Sequence, residues 1–301
     1  MNRRSLGVVC ILASAVIFGF TPVLAALSYR GGNNGVNMAF LRALLPLPCL
    51  AALARATSRG ARMDGRQLRA CVLAGMLVFG CTLLLYSSYT YIPVGLATTL
   101  HFLYPLYVVL YDVIFRKRKM GPWRAAGLAL GVAGVLVSAD MSGASVQDVR
   151  GVFLALGSGM IYAAYILALG YENRRPVPVY RLMFVVSLTG VPLCGLAGLV
   201  TGSLTIALTP GSWAYAVAAA LLVSVAGCVL FQQGTRCVGE ADAAILSLLE
   251  PIGSILFGLW LMNETLGPRA IFGSVLILVG LLRNALGGRR REKSLERINA
   301  R

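Results

Sequence analysis

The sequence predicts an all-α integral membrane protein with about ten transmembrane helices arranged as two inverted five-helix repeats. Three observations carry that prediction: the composition, the spacing of the apolar runs, and a second copy of the chain's own pattern. Of the 301 residues, 58% are hydrophobic and 13% are charged, with a mean hydropathy of +0.78. An average soluble domain carries about 25% charged residues. Too little polar surface remains to coat soluble domains of this length, and disordered chains are far poorer in apolar residues. The net charge of +16 is spread in short runs between long apolar segments. That placement fits a membrane protein rather than the clustered basic face of a nucleic-acid binder.

A spanning helix needs about 20 mostly apolar residues. The first such segment, 6–29, follows Arg3 and Arg4 and is too long for the apolar core of an ordinary signal peptide, so it reads as a retained helix. The others are 36–54, 70–91, 94–115, 121–139, 151–171, 182–203, 211–235, 242–262 and 268–287. Arg124 and Arg283 trim the apolar cores of the fifth and tenth. With the N-terminus inside, twenty-three Lys and Arg fall on inner segments against three, Arg30, Arg150 and Arg269, on outer ones. The positive-inside rule therefore places both termini in the cytoplasm, with the basic tail from Arg289 to Arg301 at the anionic inner leaflet.

Sliding the chain along itself by 146 residues brings Pro105 onto Pro251, Gly121-Pro122 onto Gly267-Pro268, Gly127 onto Gly273 and Gly134 onto Gly280. An offset of 144 aligns the front ends, Gly7-Val8 and Ser14 falling on Gly151-Val152 and Ser158. The chain thus divides into a first repeat over 5–140, a second over 150–287 and a basic cytoplasmic tail over 288–301. Five helices per copy is an odd number, so the second copy enters the bilayer from the opposite side. Inverted repeats underlie alternating access, with a substrate site near the midplane where the halves meet.

Ionisable residues within apolar spans are costly and mark functional sites. Glu250 lies mid-way along the ninth span before Pro251, at the position matching Tyr104 before Pro105. Each proline removes a backbone donor and clashes with the carbonyl four residues earlier, so kinks are expected in the fourth and ninth helices. His101, matched by Ser247, stands one turn before Pro105, and its ordinary titration range suits a proton-coupled step. Arg42, a third of the way along the second span, needs an acidic partner from the protein or the substrate. Glu250, Tyr104, His101, Ser247 and Arg42 are accordingly the candidate substrate contacts, each weighed against a packing role. Tyr107 and Tyr111 read as packing, Asp112 as a neutraliser of the basic run after it, and Gln232 and Gln233 as interfacial. Gly127-x-x-x-Gly131 permits close helix approach, within the fold or across a homodimer.

The seven cysteines form no C-x-x-C pair and there is one histidine, so no metal site is expected. No phosphate-cradling Gly-Lys-Ser/Thr or dinucleotide motif occurs, so neither ATP nor another cofactor is expected. The expected partners are a small-molecule substrate and the lipid bilayer, with proton coupling open and no nucleic acid.

Several motifs, read together, are familiar. Phe18-Gly19-Phe20-Thr21-Pro22 and Phe40-Leu41-Arg42 are followed by His101-Phe102-Leu103-Tyr104-Pro105, then by Leu249-Glu250-Pro251-Ile252, Asn263-Glu264-Thr265-Leu266 and Gly273. The chain resembles, over about residues 5–287, the ten-helix EamA-type transporters of the drug/metabolite transporter superfamily. The resemblance implies two EamA-like repeats, a prokaryotic inner-membrane location and movement of small metabolites, often amino acids and usually outward. It also implies that the fourth and ninth helices line a central cavity while the short fifth and tenth pack peripherally. One departure is that Arg118-Lys119 stands where the second copy has Glu264-Thr265. The expected function is a secondary transporter or facilitator and not an enzyme. The alternatives are a non-transporting sensor or scaffold and a membrane-embedded enzyme acting on lipid-linked substrates.

Overall fold

Long apolar runs in a medium without water must satisfy their backbone groups internally, which leaves helix as the available solution. The computed structural model describes residues 2–57, 63–88, 91–92, 94–117, 120–138, 149–172, 177–262, 268–269, 271–273, 275–280 and 283, and among these there is no strand. The loop carrying Glu264, the Arg118-Lys119 pair and the basic tail 288–301 lie outside the described residues.

The helices are α1 (Arg3–Gly19), α2 (Thr21–Tyr29), α3 (Gly35–Leu44), α4 (Leu47–Thr57), α5 (Gly65–Ser88), α6 (Val94–His101), α7 (Tyr104–Ile114) and α8 (Pro122–Ser138) in the first half. The second half holds α9 (Val149–Glu172), α10 (Val179–Val200), α11 (Pro210–Leu221), a π-helical segment (Leu222–Gly227) and α12 (Cys228–Val238). It continues through α13 (Glu240–Leu246), a 3-10 turn (Ser247–Leu249) and α14 (Glu250–Met262), with a shorter apolar helix at Ile271–Gly280. Among the described residues, six stretches are long and apolar enough to cross a membrane: Arg3–Tyr29, Gly35–Thr57, Gly65–Ser88, Val149–Leu169, Val179–Val200 and Pro210–Val238. Every one of the ten expected segments contains helix among the described residues.

Sequence explains where helices begin and break. Asp64 accepts from the Gln67 amide at 2.7 Å while Gln67 accepts from the Asp64 amide at 2.9 Å, a reciprocal cap that starts α5. Asn34 caps α3 and Thr209 caps α11. The first, second, fourth, eighth and ninth expected spans are interrupted, at Phe20, at Leu45-Pro46, at Phe102-Leu103, across 222–227 and across 247–249. Prolines 22, 46, 105 and 251 stand beside four of these interruptions. The π segment has none; there Phe18 lies where a side chain at Gly227 would otherwise sit.

Packing is reciprocal between the halves. α1 lies along α12, and α9 lies along α5. A methyl group added at Gly7 would lie 2.5 Å from Cys237 Cβ and 2.8 Å from Val238 Cγ1. One added at Gly151, the equivalent of Gly7, would meet Tyr91 Cβ and Ile92 Cγ2 at 2.8 Å each, and these are the equivalents of Cys237 and Val238. Likewise a methyl group added at Gly134 would lie 2.6 Å from Gly273 O, and one added at Gly280 would lie 2.6 Å from Gly127 O. In both cases residue i meets j, and the equivalent of i meets the equivalent of j, as in a two-fold isologous contact. Gly131, whose added methyl would strike Leu248, joins these, so the glycine motif of the fifth span makes its close approach inside one chain.

The outer surface carries large apolar side chains, among them Phe153, Leu199, Val200 and Trp260, each at least 70% exposed. A soluble fold would bury such residues, whereas lipid accepts them. Gln232, read from sequence as interfacial, is instead fully buried, while Gln233 is exposed. The reason is that the end of α12 packs against α1, α9 and α10.

Candidate functional site

A cavity of about 170 Å³ lies among α1, α2, α3, α5, α6, α9, the eighth span and Glu250. One buried water needs roughly 10–15 Å³ of such space, so this volume takes a solute of several heavy atoms. Its wall is mostly aromatic and aliphatic, with Arg42, His101 and Glu250 as the groups capable of charge. A largely apolar wall with a few convergent polar groups is the ordinary form of a small-molecule site.

Glu250 is 7% exposed and opens α14 directly after the 3-10 turn. Its Oε1 accepts from the Tyr104 hydroxyl at 3.3 Å across 146 positions of sequence, the same interval that relates the two repeats. A residue bonded to its own repeat equivalent lies where the two halves meet. Tyr104 is fully buried and does not itself line the cavity; it holds Glu250 from behind. Pro105 follows at the second position of α7 and Pro251 at the second position of α14, so both members of the pair open a helix just past a break. The pyrrolidine ring is tolerated there because the first helical turn has no donor obligation within the helix.

His101 ends α6 and shares its Nδ1 with Ser158 Oγ at 3.0 Å. Its ring lies 5.3 Å from that of Tyr162 and 5.7 Å from that of Tyr104, and Tyr104 and Tyr162 meet edge to face at 4.7 Å. Ser247, the equivalent of His101, is fully buried away from the cavity and donates back to Ala243 O at 3.0 Å. Arg42 meets no carboxylate: its Nη1 donates to Tyr86 Oη at 3.0 Å, and no ion pair joins it to Glu250 among the described residues. Of the five candidate contacts, then, three line the cavity, Tyr104 stands behind one of them, and Ser247 lies beside Tyr104, off the cavity wall. Tyr111 points to Phe115 and to the Arg116 guanidinium, outside the site.

The cavity also contains residues that the sequence reading did not single out: Tyr29, Tyr86, Tyr162 and Tyr165. Part of this was recoverable from the repeat. Phe18 and Tyr162 are equivalent positions, as are Thr21 and Tyr165, Thr82 and Cys228, and Leu85 and Phe231, and every one of these lines the cavity. Among the described residues no group of His, Cys, Asp and Glu could hold a metal ion.

One end of the bundle is tied by charge. Arg4 on α1 meets Asp242 on α13 at 3.5 Å, and Arg116 after α7 meets Glu240 on α13 at 3.5 Å and Asp112 at 3.1 Å. At the repeat-equivalent positions of Glu240, Asp242 and Arg116 stand Val94, Leu96 and Met262, so this cluster has no ionic counterpart there.

The fold has a counterpart among solved structures, and the sequence has relatives among known proteins. A solved crystal structure superposes with a TM-score of 0.78 over 96% of this chain and 99% of its own, at 20% identity. The uncharacterized transporter sll1319 of Synechocystis sp. (strain ATCC 27184 / PCC 6803 / Kazusa) is 25% identical over 307 residues, 92% of each chain. The uncharacterized transporter YwfM of Bacillus subtilis (strain 168) is 29% identical over 170 residues, 56% of each chain. The profile of the EamA-like transporter family matches twice, over residues 5–139 and 149–285, one match for each half joined by the Tyr104–Glu250 bond. The chain belongs to the EamA-like transporter family and is a multi-pass membrane transporter.

Proposed function

We propose that this transporter moves a small metabolite, an amino acid or a related compound, outward across the inner membrane by alternating access through the cavity at Glu250. The observation that carries the reading is the Tyr104–Glu250 bond, which joins equivalent points of the two halves at the cavity wall. Five spans per half invert the second copy, both termini then lie in the cytoplasm, and exchanging the conformations of the halves exposes the cavity to the other side. The reciprocal glycine contacts support this, because equivalent interfaces can trade states at little net cost. Pro105 and Pro251 keep the backbone breaks beside the site, and Ser247 holds the turn from which Glu250 departs.

Glu250 is the group that exchanges its Tyr104 hydroxyl for a substrate group or a proton during the cycle, with His101 as the second proton carrier. Arg42 binds the substrate from the opposite polarity. The test is flux into proteoliposomes of the purified protein, using labelled amino acids and small metabolites with and without an imposed pH gradient. Uptake of one solute class above empty liposomes is expected, with accumulation under the gradient. Folded protein that moves none of them would overturn the reading.

A further inference from the structure

One part of the cavity wall holds donors that the fold leaves unused. Among the described residues, Arg42 contributes the only guanidinium or ammonium group of that wall. Its Nη1 is engaged by Tyr86, but its Nε is buried with no hydrogen-bond partner. Tyr29, on the same wall, has a hydroxyl that is also buried and unpartnered. Buried polar atoms almost always find partners, and an unpaired guanidinium at membrane depth is costly. Two free donors from separate helices, α2 and α3, beside one cavity call for an acceptor that comes from outside the protein.

The donor set defines that acceptor. A guanidinium and a phenol offer N–H and O–H to an anionic oxygen, and a planar carboxylate matches the fork of a guanidinium edge with two parallel bonds. Because Tyr86 takes Nη1, the edge formed by Nε and Nη2 is the one left for that fork. A single cation in a cavity of about 170 Å³ fits a monoanionic group better than a dianionic phosphate.

We propose that Tyr29, Arg42 and Tyr86 form a carboxylate subsite in the cavity, so that the substrate is a small solute bearing a free carboxylate. Tyr86 orients the guanidinium, Arg42 makes the two-point pair, and Tyr29 donates the third bond. This rests on reading the cavity as the transport site.

The test is thermal stabilisation of the purified full chain by the standard amino acids and by small mono- and dicarboxylic acids, each set beside its amide. At least one acid is expected to stabilise the protein. Its amide should bind more weakly by on the order of ten- to hundred-fold, as expected when a hydrogen-bonded charge is removed. Arg42→Gln should erase the difference between acid and amide. Tyr29→Phe removes a hydroxyl that bonds nothing in the fold, so it should fold normally and bind the acid roughly three- to ten-fold more weakly. Amides binding as well as acids, both variants binding like the wild type, or no acid binding at all would each overturn the subsite. Flux distinguishes the two readings. Movement of carboxylate-free solutes by a protein that binds no acid leaves transport standing and the subsite refuted. Arg42-dependent binding of an acid that is never moved does the reverse.

Discussion

Neutralising α13 should open the charged end of the bundle. Under the proposed alternation, α13 parts from α1 and α7 when the cavity reaches the face assigned to the cytoplasm. The Arg4–Asp242 and Arg116–Glu240 pairs oppose that parting, both at 3.5 Å, with side-chain exposures of 34% and 20% in the first and 25% and 12% in the second. At that distance the bare Coulomb energy is about 5 kcal/mol for an effective dielectric of 20. Desolvation and lost side-chain entropy cancel most of it, and exposed pairs deliver about 0.2–1 kcal/mol. Taking about 1 kcal/mol for the more buried pair and about 0.5 for the other gives about 1.5 kcal/mol, or roughly ten-fold in the closed-to-open ratio. The double variant Glu240→Gln, Asp242→Asn removes both pairs and keeps the Arg116–Asp112 pair. The assay is alkylation of Cys228, a cavity residue, by an impermeant maleimide added on the cytoplasmic side, in a background lacking the other cysteines. Labelling should be roughly ten-fold faster in the double variant. Raising ionic strength should speed the intact protein toward the variant's rate and leave the variant unchanged. Equal labelling rates at every ionic strength would refute the reasoning.

Two further outcomes follow from the packing. Gly134→Ala should lower the melting temperature in detergent at a cost of about 1–3 kcal/mol, because the added methyl meets the backbone atoms Gly273 O and Ile277 N at 2.6 and 2.8 Å. Gly80→Ala has nothing within 4 Å of the added methyl and should be neutral or stabilising by up to about 1 kcal/mol; equal effects at the two sites would contradict the reciprocal contact. Tyr104→Phe should slow transport several-fold while costing less than about 1 kcal/mol of stability, the usual size of a hydrogen bond within a membrane. A large stability loss with normal transport would instead make Tyr104 a packing residue.

How much of this was legible depended on which physical feature left a mark in the sequence. The repeat was legible because its markers are backbone requirements. Gly134 and Gly280 tolerate no side chain against the backbone of the opposing half, and so they recur in register. The apolar runs were legible for the same kind of reason, since lipid leaves helix as the economical solution. The breaks beside prolines could be anticipated, whereas the π segment at 222–227 could not: no proline marks it, and the place of Phe18 against Gly227 comes from tertiary packing. Glu250 and Arg42 stood out as charges in apolar runs. Tyr29 and Tyr86 did not, because an aromatic side chain in such a run is compositionally ordinary, and its cavity position follows from how several helices meet. The repeat gave no help there either: Asn173 and Gln232 occupy the equivalent positions, so this wall is where the halves differ. Gln232 was misplaced because sequence shows a helix end without showing what covers it.

The most direct test of the central claim compares flux through the wild type and Glu250→Gln in proteoliposomes, with equal amounts of folded protein confirmed by melting. The change preserves shape and removes the carboxylate from the junction of the two halves. Transport is expected to fall by on the order of ten-fold or more, the scale of one lost charge-assisted contact, and accumulation under a pH gradient should vanish. Wild-type flux with intact gradient dependence in Glu250→Gln would contradict the account.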